Sequence, residues 1–429
     1  MRRLLFVSST AAAVLLALGA AACSSQAAPV GATTSHGSAA HAPGSAARRT
    51  TALTAAPPSA PQADSSAFTS LSALAMSSSK RGYGMFVRTA GSRCAAESGM
   101  TTDGGARFRD AAVITTWNCN NNPPVTKIAT DRAGAGFAYG PKLFISPGRG
   151  QPWRASPQQG TVLAVSAASN WVWLLLARCH GAQSTPDGCA LRLEESTNGG
   201  LSWRATPGQP PAVTRGSSAG PALPGATAGQ TWLLHLGTQT GYVLTSPAVN
   251  SSGKADTAAL WYTGNGGRHW SKRTLSCGID ALSDAVAKAG TSLAAVCADE
   301  PSAGMQIKTT AVSADGGRHW TLHVGCLFSP GCRNALYGGY LGEIAAVSAT
   351  RIYLVGDRSS LLITTDGGVR WHAVQPIIGD TSGGTGNVIF FGRANGLLTG
   401  QGGATGEAID IFRTSDAGKT WTKIVPRLT

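Results

Sequence analysis

The eight residues SADGGRHW (313–320) recur along the chain with small changes. Copies begin at Thr101 (TTDGGARF), Ser196 (STNGGLSW), Thr263 (TGNGGRHW), Thr364 (TTDGGVRW) and Thr414 (TSDAGKTW). A weaker copy, SPGRGQPW, opens at Ser146 with Gly148 in the place of the acid. Successive starts lie 45, 50, 67, 50, 51 and 50 residues apart. A sustained period of this length means that each repeat is one supersecondary unit, stable only when its apolar faces are covered by its neighbours. The long interval contains PGQPPAVTRGSSAGPALPGATAGQ (207–230), which reads as a loop insertion.

The octamer has the chemistry of a tight turn between two strands. Its hydroxyl and carboxylate can bond the turn's own backbone, its glycines supply positive φ, and its aromatic residue leaves the turn as an apolar anchor between neighbouring sheets. Apolar strand-like runs precede each copy, as in GEIAAVSAT (342–350), RIYLVGD (351–357) and SSLLITT (359–365), and another follows, as in WTKIVPRL (421–428). Four strands in about 50 residues is the size of a propeller blade. Only 13% of residues are charged and 55 are glycine, which suits a turn-rich β protein and excludes a charged disordered chain. The expectation is one all-β domain over 66–429, a single seven-bladed β-propeller of four-stranded antiparallel blades. Blade limits are expected near 66–121, 122–156, 157–207, 208–275, 276–328, 329–376 and 377–429.

The pattern Ser/Thr-x-Asp/Asn-Gly-Gly-x-x-Trp/Phe resembles the BNR, or Asp-box, repeat of sialidase-like β-propellers. The Gly-x-x-x-Gly, apolar strand and TTDGGxxW succession also resembles the photosystem II assembly-factor type of propeller. The resemblance spans about 66–429. Blade 2 lacks the acid, and blades 3 and 4 carry Asn198 and Asn265 in its place, so looser turns are expected there. Seven octamers imply seven blades, whereas sialidases have six.

The N-terminus reads as a targeting segment. Arg2 and Arg3 precede the apolar run Leu4–Ala22, and AAAC resembles a lipobox, so residues 1–22 are expected to be a lipoprotein signal peptide with Cys23 acylated. A secretory cut near Ala22 and an uncleaved anchor are the alternatives; all place the bulk of the chain outside the cytoplasm, on the outer face of the bacterial cytoplasmic membrane in the lipoprotein reading. Residues 23–65, rich in Ala, Ser and Pro, read as a disordered tether, and His36 and His41 within it as solvated. Of nine cysteines, setting Cys23 aside leaves eight. Pairing of sequence neighbours would give Cys94–Cys119, Cys179–Cys189, Cys277–Cys297 and Cys326–Cys332, a connectivity that spacing alone leaves open. With no Cys-x-x-Cys, His-Glu-x-x-His, Gly-x-Ser-x-Gly or phosphate-loop pattern, neither a metal nor another cofactor is expected.

Catalysis finds little footing. The resemblance to sialidases implies an arginine triad, a Tyr–Glu nucleophile pair and an Asp acid, but the Arg-Ile-Pro opening is missing and RIY (351–353) is the nearest match. By position Glu343 and Asp380 are the candidate pair of carboxylates, generic surface placement is the leading alternative for both, and no catalytic residue is assigned. The formal charge is +14, and removal of Arg2 and Arg3 leaves +12, with +7 of it between residues 80 and 154. That favours anionic cell-envelope polymers, glycans, lipid headgroups or acidic proteins as partners of a monomer; nucleic acid is not expected of an exported chain. With strands running outward from the axis, the first turn of each blade opens on the same face as the octamers. Lys80, Arg81, Arg132, Lys288, Arg351 and Arg393 sit in these turns and are the candidate binding residues, with neutral Asn170 and Gln239 in blades 3 and 4. Arg333, Tyr337 and Tyr340 are weaker candidates on the opposite face. A binding or assembly scaffold is the leading reading, and a sialidase-like glycoside hydrolase the alternative.

Overall fold

A computed structural model describes residues 68–429 except 149–150, 159, 169, 180–188, 211–230, 246–258, 276–282, 299–305, 326–335, 337–340, 357–360, 375–386 and 403–406. The chain divides into Met1–Gln62 and Ala63–Thr429, and every described residue lies in the second unit. Blade 1 contains β1 (Phe68–Met76), β2 (Gly82–Ala90), β3 (Arg93–Thr101) and β4 (Arg107–Asn118). Blade 2 has β5 (Lys127–Thr130), β6 (Gly136–Tyr139), β7 (Leu143–Ser146) and β8 (Arg154–Ala155). Blade 3 has β9 (Thr161–Ala168), β10 (Trp171–Cys179), β11 (Cys189–Ser196) and β12 (Arg204–Ala205). Blade 4 has β13 (Thr231–Leu236), β14 (Thr240–Thr245), β15 (Ala259–Thr263) and β16 (Ser271–Thr274). Blade 5 has β17 (Ser283–Ala289), β18 (Ser292–Ala298), β19 (Lys308–Ser313) and β20 (Thr321–His323). Blade 6 has β21 (Ile344–Ala346), β22 (Ile352–Leu354), β23 (Leu362–Thr364) and β24 (His372–Ala373). Blade 7 has β25 (Asn387–Phe391), β26 (Asn395–Gly402), β27 (Glu407–Thr414) and β28 (Thr422–Ile424).

Each blade is an antiparallel meander paired in chain order, and the seven sheets form the expected β-propeller. Each meander stays inside one expected interval. One sequence expectation needs correction. The run after Trp421 is not a single strand: it breaks at Val425–Pro426, and Arg427–Leu428 forms β29, which pairs in parallel with β4 as a fifth strand of blade 1. Pro426 has no N–H for the blade 7 ladder, so the chain leaves that sheet and crosses to the next. There Arg427 N donates to Ala106 O (3.1 Å) and Thr429 N to Phe108 O (2.8 Å).

The core lies between sheets. In β10, WVWLLLARC, Val172, Leu174 and Leu176 face blade 2, while Trp173 and Leu175 face blade 4. A strand covered on both faces reads as a continuous apolar run. Among the described residues, one apolar cluster fills each junction from blade 1–2 round to blade 7–1. The octamer aromatic reaches back to the blade before its own. Trp153 Nε1 donates to Ser98 Oγ of blade 1 (2.6 Å), and Trp371 Nε1 to Thr310 Oγ1 of blade 5 (3.2 Å). In blade 1 the position holds Phe108, fully buried against Leu397, Ile411 and Ile424 of blade 7. The predicted disulfide Cys94–Cys119 is present, joining β3 to the residue after β4. Cys179 and Cys189 are opposed in register on β10 and β11. Cys297 is disulfide-bonded; its expected partner Cys277, like Cys23, Cys326 and Cys332, lies outside the described residues.

His235 on β13 is an exception to polar satisfaction. It is 3% exposed and stacks on Trp173 at 4.3 Å, with neither ring nitrogen hydrogen-bonded. Burial pulls its pKa from 6.5 to about 4; the Trp171 backbone, near the ring but outside hydrogen-bond geometry, offsets this only in part.

Three outcomes follow from this packing. Leu428 packs into the blade 7–1 cluster. Leu428→Ala should cost about 1–2 kcal/mol in urea denaturation, the cost expected of a half-buried leucine, while Val425→Ala, at a site 67% exposed, should be neutral. Ala417 holds φ 61° where the other acid-bearing octamers place glycine. Ala417→Gly should therefore stabilise by about 1 kcal/mol. An unfolded histidine takes a proton as pH falls from 6.5 to about 4, and folded His235 does not. Stability should drop through that window by on the order of 3 kcal/mol, and His235→Phe should remove that component of the slope.

Candidate functional site

The octamer turns and the first turns of the blades lie on one face and are bonded to each other. Gly104 N donates to Lys80 O (2.9 Å), Gly199 N to Asn170 O (2.9 Å), Gly266 N to Gln239 O (2.7 Å), Gly367 N to Thr350 O (2.9 Å) and Ala417 N to Ala394 O (2.9 Å). Within each acid-bearing octamer the hydroxyl donates to the acid and accepts an N–H four residues on. In blade 5, Ser313 Oγ donates to Asp315 Oδ1 (2.8 Å) and accepts from Gly317 N (2.8 Å). The backbone N–H of His319, then its ring, then the Ser313 hydroxyl hold the Asp315 carboxyl well below the carboxylate range. In blade 7 the Thr420 hydroxyl, then its N–H, then Thr414 bring Asp416 to about 2. The Asn-bearing turns are not looser, contrary to the sequence expectation. Asn198 Oδ1 accepts from Ser202 N (3.0 Å) and Asn265 Oδ1 from His269 N (2.9 Å), the bonds that Asp366 and Asp416 make. An amide oxygen suffices because the turn needs an acceptor, not a charge.

All six candidate cations fall in or beside the first turns of five blades. Lys80, Arg81, Arg132 and Arg393 are exposed, and Lys288 and Arg351 half-buried. Their turns are fixed by side-chain caps: Ser78 Oγ accepts from Arg81 N (3.0 Å), Asp131 Oδ1 from Gly134 N (2.6 Å), and Ser348 Oγ from Arg351 N (2.9 Å). The Lys288 ammonium donates to Gly290 O, and burial lowers its pKa. None of the six takes part in a described ion pair. Arg333, Tyr337, Tyr340 and Asp380 lie outside the described residues.

Sequence reasoning missed the cluster between blades 4 and 5. There Arg273 of β16 lies 4.7 Å over the Tyr262 ring, and it lines a groove of about 520 Å³ together with Tyr242, Lys288, Asp315 and Arg318. A signal was present: only the octamers of blades 4 and 5 read GGRHW. The sequence also gave no hint of Lys308, which is fully buried and donates from Nζ to Gln306 O (3.1 Å); burial brings its pKa to about 8.

The carboxylates are largely engaged. Glu97 pairs with Arg88, Glu194 with Arg178 (2.9 Å), Glu195 with Arg204 (2.9 Å), and Asp410 with Lys423 (2.8 Å). Glu343 precedes β21, at the end of the blade away from the octamers. Desolvation raises its pKa and the charge of Lys127 opposes the rise; burial raises the pKa of Tyr139, with a smaller contribution from Glu343. Among the described residues, no group of three or more His, Cys, Asp or Glu side chains could hold a metal ion.

No family model and no curated protein matches the chain. Solved structures that resemble it include YCF48 bound to D1 peptide, at 15% identity and TM-score 0.45 over 70% of this chain and 80% of that one. They also include a GH74 enzyme from Niastella koreensis, at 14% and 0.39 over 82% of this chain and 65% of that one. A third is an α-L-arabinofuranosidase from Fusarium graminearum in complex with an iminosugar inhibitor, at 13% and 0.42 over 82% and 98%. The neighbours thus include a peptide-bound protein and glycoside hydrolases, and the assignment of a seven-bladed propeller rests on this chain's own strand pairing.

Proposed function

We propose that the chain is a non-catalytic, extracytoplasmic propeller, lipid-anchored through Cys23, whose octamer face binds an anionic glycan, polymer or protein as a binding or assembly scaffold. The observation that carries this reading is the placement of Lys80, Arg81, Arg132, Lys288, Arg351 and Arg393 on turns of that one face, with no described ion pair to neutralise them. Like charges held on rigid, capped turns repel one another, and an anionic partner relieves that repulsion. The +12 that remains without Arg2 and Arg3 acts in the same direction. The repeats are read as Asp-box turns, and residues 1–22 as the signal that exports the chain to the outer face of the membrane.

A second reading, a sialidase-like glycoside hydrolase, is favoured by Glu343 alone, a carboxyl raised by desolvation beside Lys127 and Tyr139. Hydrolysis at a glycosidic bond ordinarily needs two carboxyls facing one cleft, and the described carboxylates in ion pairs are already committed.

The test of the scaffold reading is the combined reversal Arg132→Glu, Arg351→Glu and Arg393→Glu. Co-sedimentation with anionic vesicles and with cell-wall polymer is measured at low and physiological salt. The wild-type chain should bind in a salt-sensitive manner, and the triple variant should lose most of that binding while melting normally. Undiminished or salt-insensitive binding overturns the reading.

A further inference from the structure

The groove between blades 4 and 5 opens on the octamer face, and its chemistry is more specific than a row of exposed cations. Arg273 enters from β16, the outermost strand of blade 4. Its guanidinium carbon lies 4.7 Å from the centre of the Tyr262 ring, a cation–π contact that orients the group, and its buried Nε has no hydrogen-bond partner. Arg318 enters from the octamer of blade 5 and is exposed. Lys288 enters from β17, near the first turn of blade 5. Both arginines line the groove together with Tyr242.

Asp315 is the acidic residue of the lining, and donors of its own octamer already occupy it. Its Oδ1 accepts from Ser313 Oγ (2.8 Å), Arg318 N (3.0 Å) and His319 N (3.0 Å), and its Oδ2 meets the His319 ring nitrogen at 2.6 Å. Arg273, Lys288 and Arg318 take part in no described ion pair. The three cations against one carboxylate leave the lining at a formal +2. A carboxylate ligand cancels half of that. A phosphomonoester, carrying about −1.5 to −2 at neutral pH, cancels nearly all of it and offers three oxygens to donors that arrive from three directions. At about 520 Å³ the groove is within the size range of small-molecule sites, so it has room for the body that carries the phosphate. The hydroxyls of Thr240, Thr291, Tyr242 and Tyr262 on its wall suit a hydroxylated body.

We propose that this groove is a phosphate site, in which Arg273, Arg318 and Lys288 hold a phosphomonoester carried on a sugar-like body. The proposal deepens the reading of the octamer face as an anion-binding surface and rests on it, while placing the specific contact on residues other than Arg132, Arg351 and Arg393.

The test is calorimetric titration of the full-length chain with glucose 6-phosphate, inorganic phosphate, glucuronate and glucose. Glucose 6-phosphate should bind at least about tenfold more tightly than glucuronate, a difference of one charge-assisted contact. Inorganic phosphate should compete with it, and glucose should not bind. Arg318→Gln, at an exposed position, should weaken glucose 6-phosphate by about tenfold or more. Arg273→Met, which keeps an unbranched apolar side chain at that position, should do the same. The triple reversal at Arg132, Arg351 and Arg393 should leave this binding within about threefold, since those side chains do not line the groove. Glucuronate binding as tightly as glucose 6-phosphate would make this a carboxylate site and overturn the proposal. Phosphate binding that survives both single substitutions, or no phosphate binding at all, also overturns it. In either case, wall-polymer binding that still depends on the triple reversal leaves the broader reading of the face standing.

Discussion

The structure depends on the apolar layer between one blade and the next. No sheet here has a core of its own. Leu174 and Leu176 are covered by blade 2, Trp173 and Leu175 by blade 4, and each remaining junction repeats that arrangement. Full burial of one such side chain is worth about 1.5–3 kcal/mol, so a junction holding several outweighs any single polar contact on the rim. The octamer serves this layer. Its hydroxyl and carboxyl fix the backbone so that the aromatic five residues after the acid enters the gap behind it, and in some blades the indole N–H bonds to the preceding blade, as Trp153 does to Ser98 and Trp371 to Thr310.

The same division of labour leaves positions on the octamer face free of structural duty. The turns on the octamer face are held by Ser, Thr, Asp and Asn side chains that bond to backbone, so the remaining turn positions carry little structural duty. Arg132 sits one residue after the capping Asp131, and Arg318 three residues after Asp315. Cations placed on capped turns lose little conformational entropy when a partner arrives, because the backbone beneath them is already fixed.

The repeats made much of this legible in the sequence. The spacing of the octamers located the blades, and the Gly-Gly-x-x-Trp order gave the turn and its anchor, because both depend on residues close in the chain. What stayed hidden depends on residues distant in the chain. Arg273 acquires its meaning from Arg318 and Lys288 of the next blade, and His235 is buried by Trp173 of the preceding one. Lys308 follows a segment with no periodicity to mark its burial. The recurrence of tyrosine at the second or third position of β2, β14 and β22 was readable but passed over; Tyr83 donates to Gly134 O (2.8 Å) and Tyr353 to Ala417 O (2.7 Å), each a turn of the following blade. Pro426 is also visible in the sequence, but the apolar run WTKIVPRL around it reads as one strand, and a single missing donor is a weaker local signal.

The pairing of β29 with β4 bears on how the ring is assembled. Thr429 Oγ1 meets Phe108 O across 321 positions of sequence, whereas the bonds within a meander join strands a few residues apart. Such a contact forms only once six intervening junctions have brought its partners together, since closing a loop of that length before then is entropically unfavourable. Until that moment blade 1 and blade 7 each present a bare apolar flank to solvent, with Phe108 and Ile411 uncovered. The unclosed ring is the species in which these two flanks are open to other chains, so association in trans competes with closure in cis, and high protein concentration during refolding favours the former.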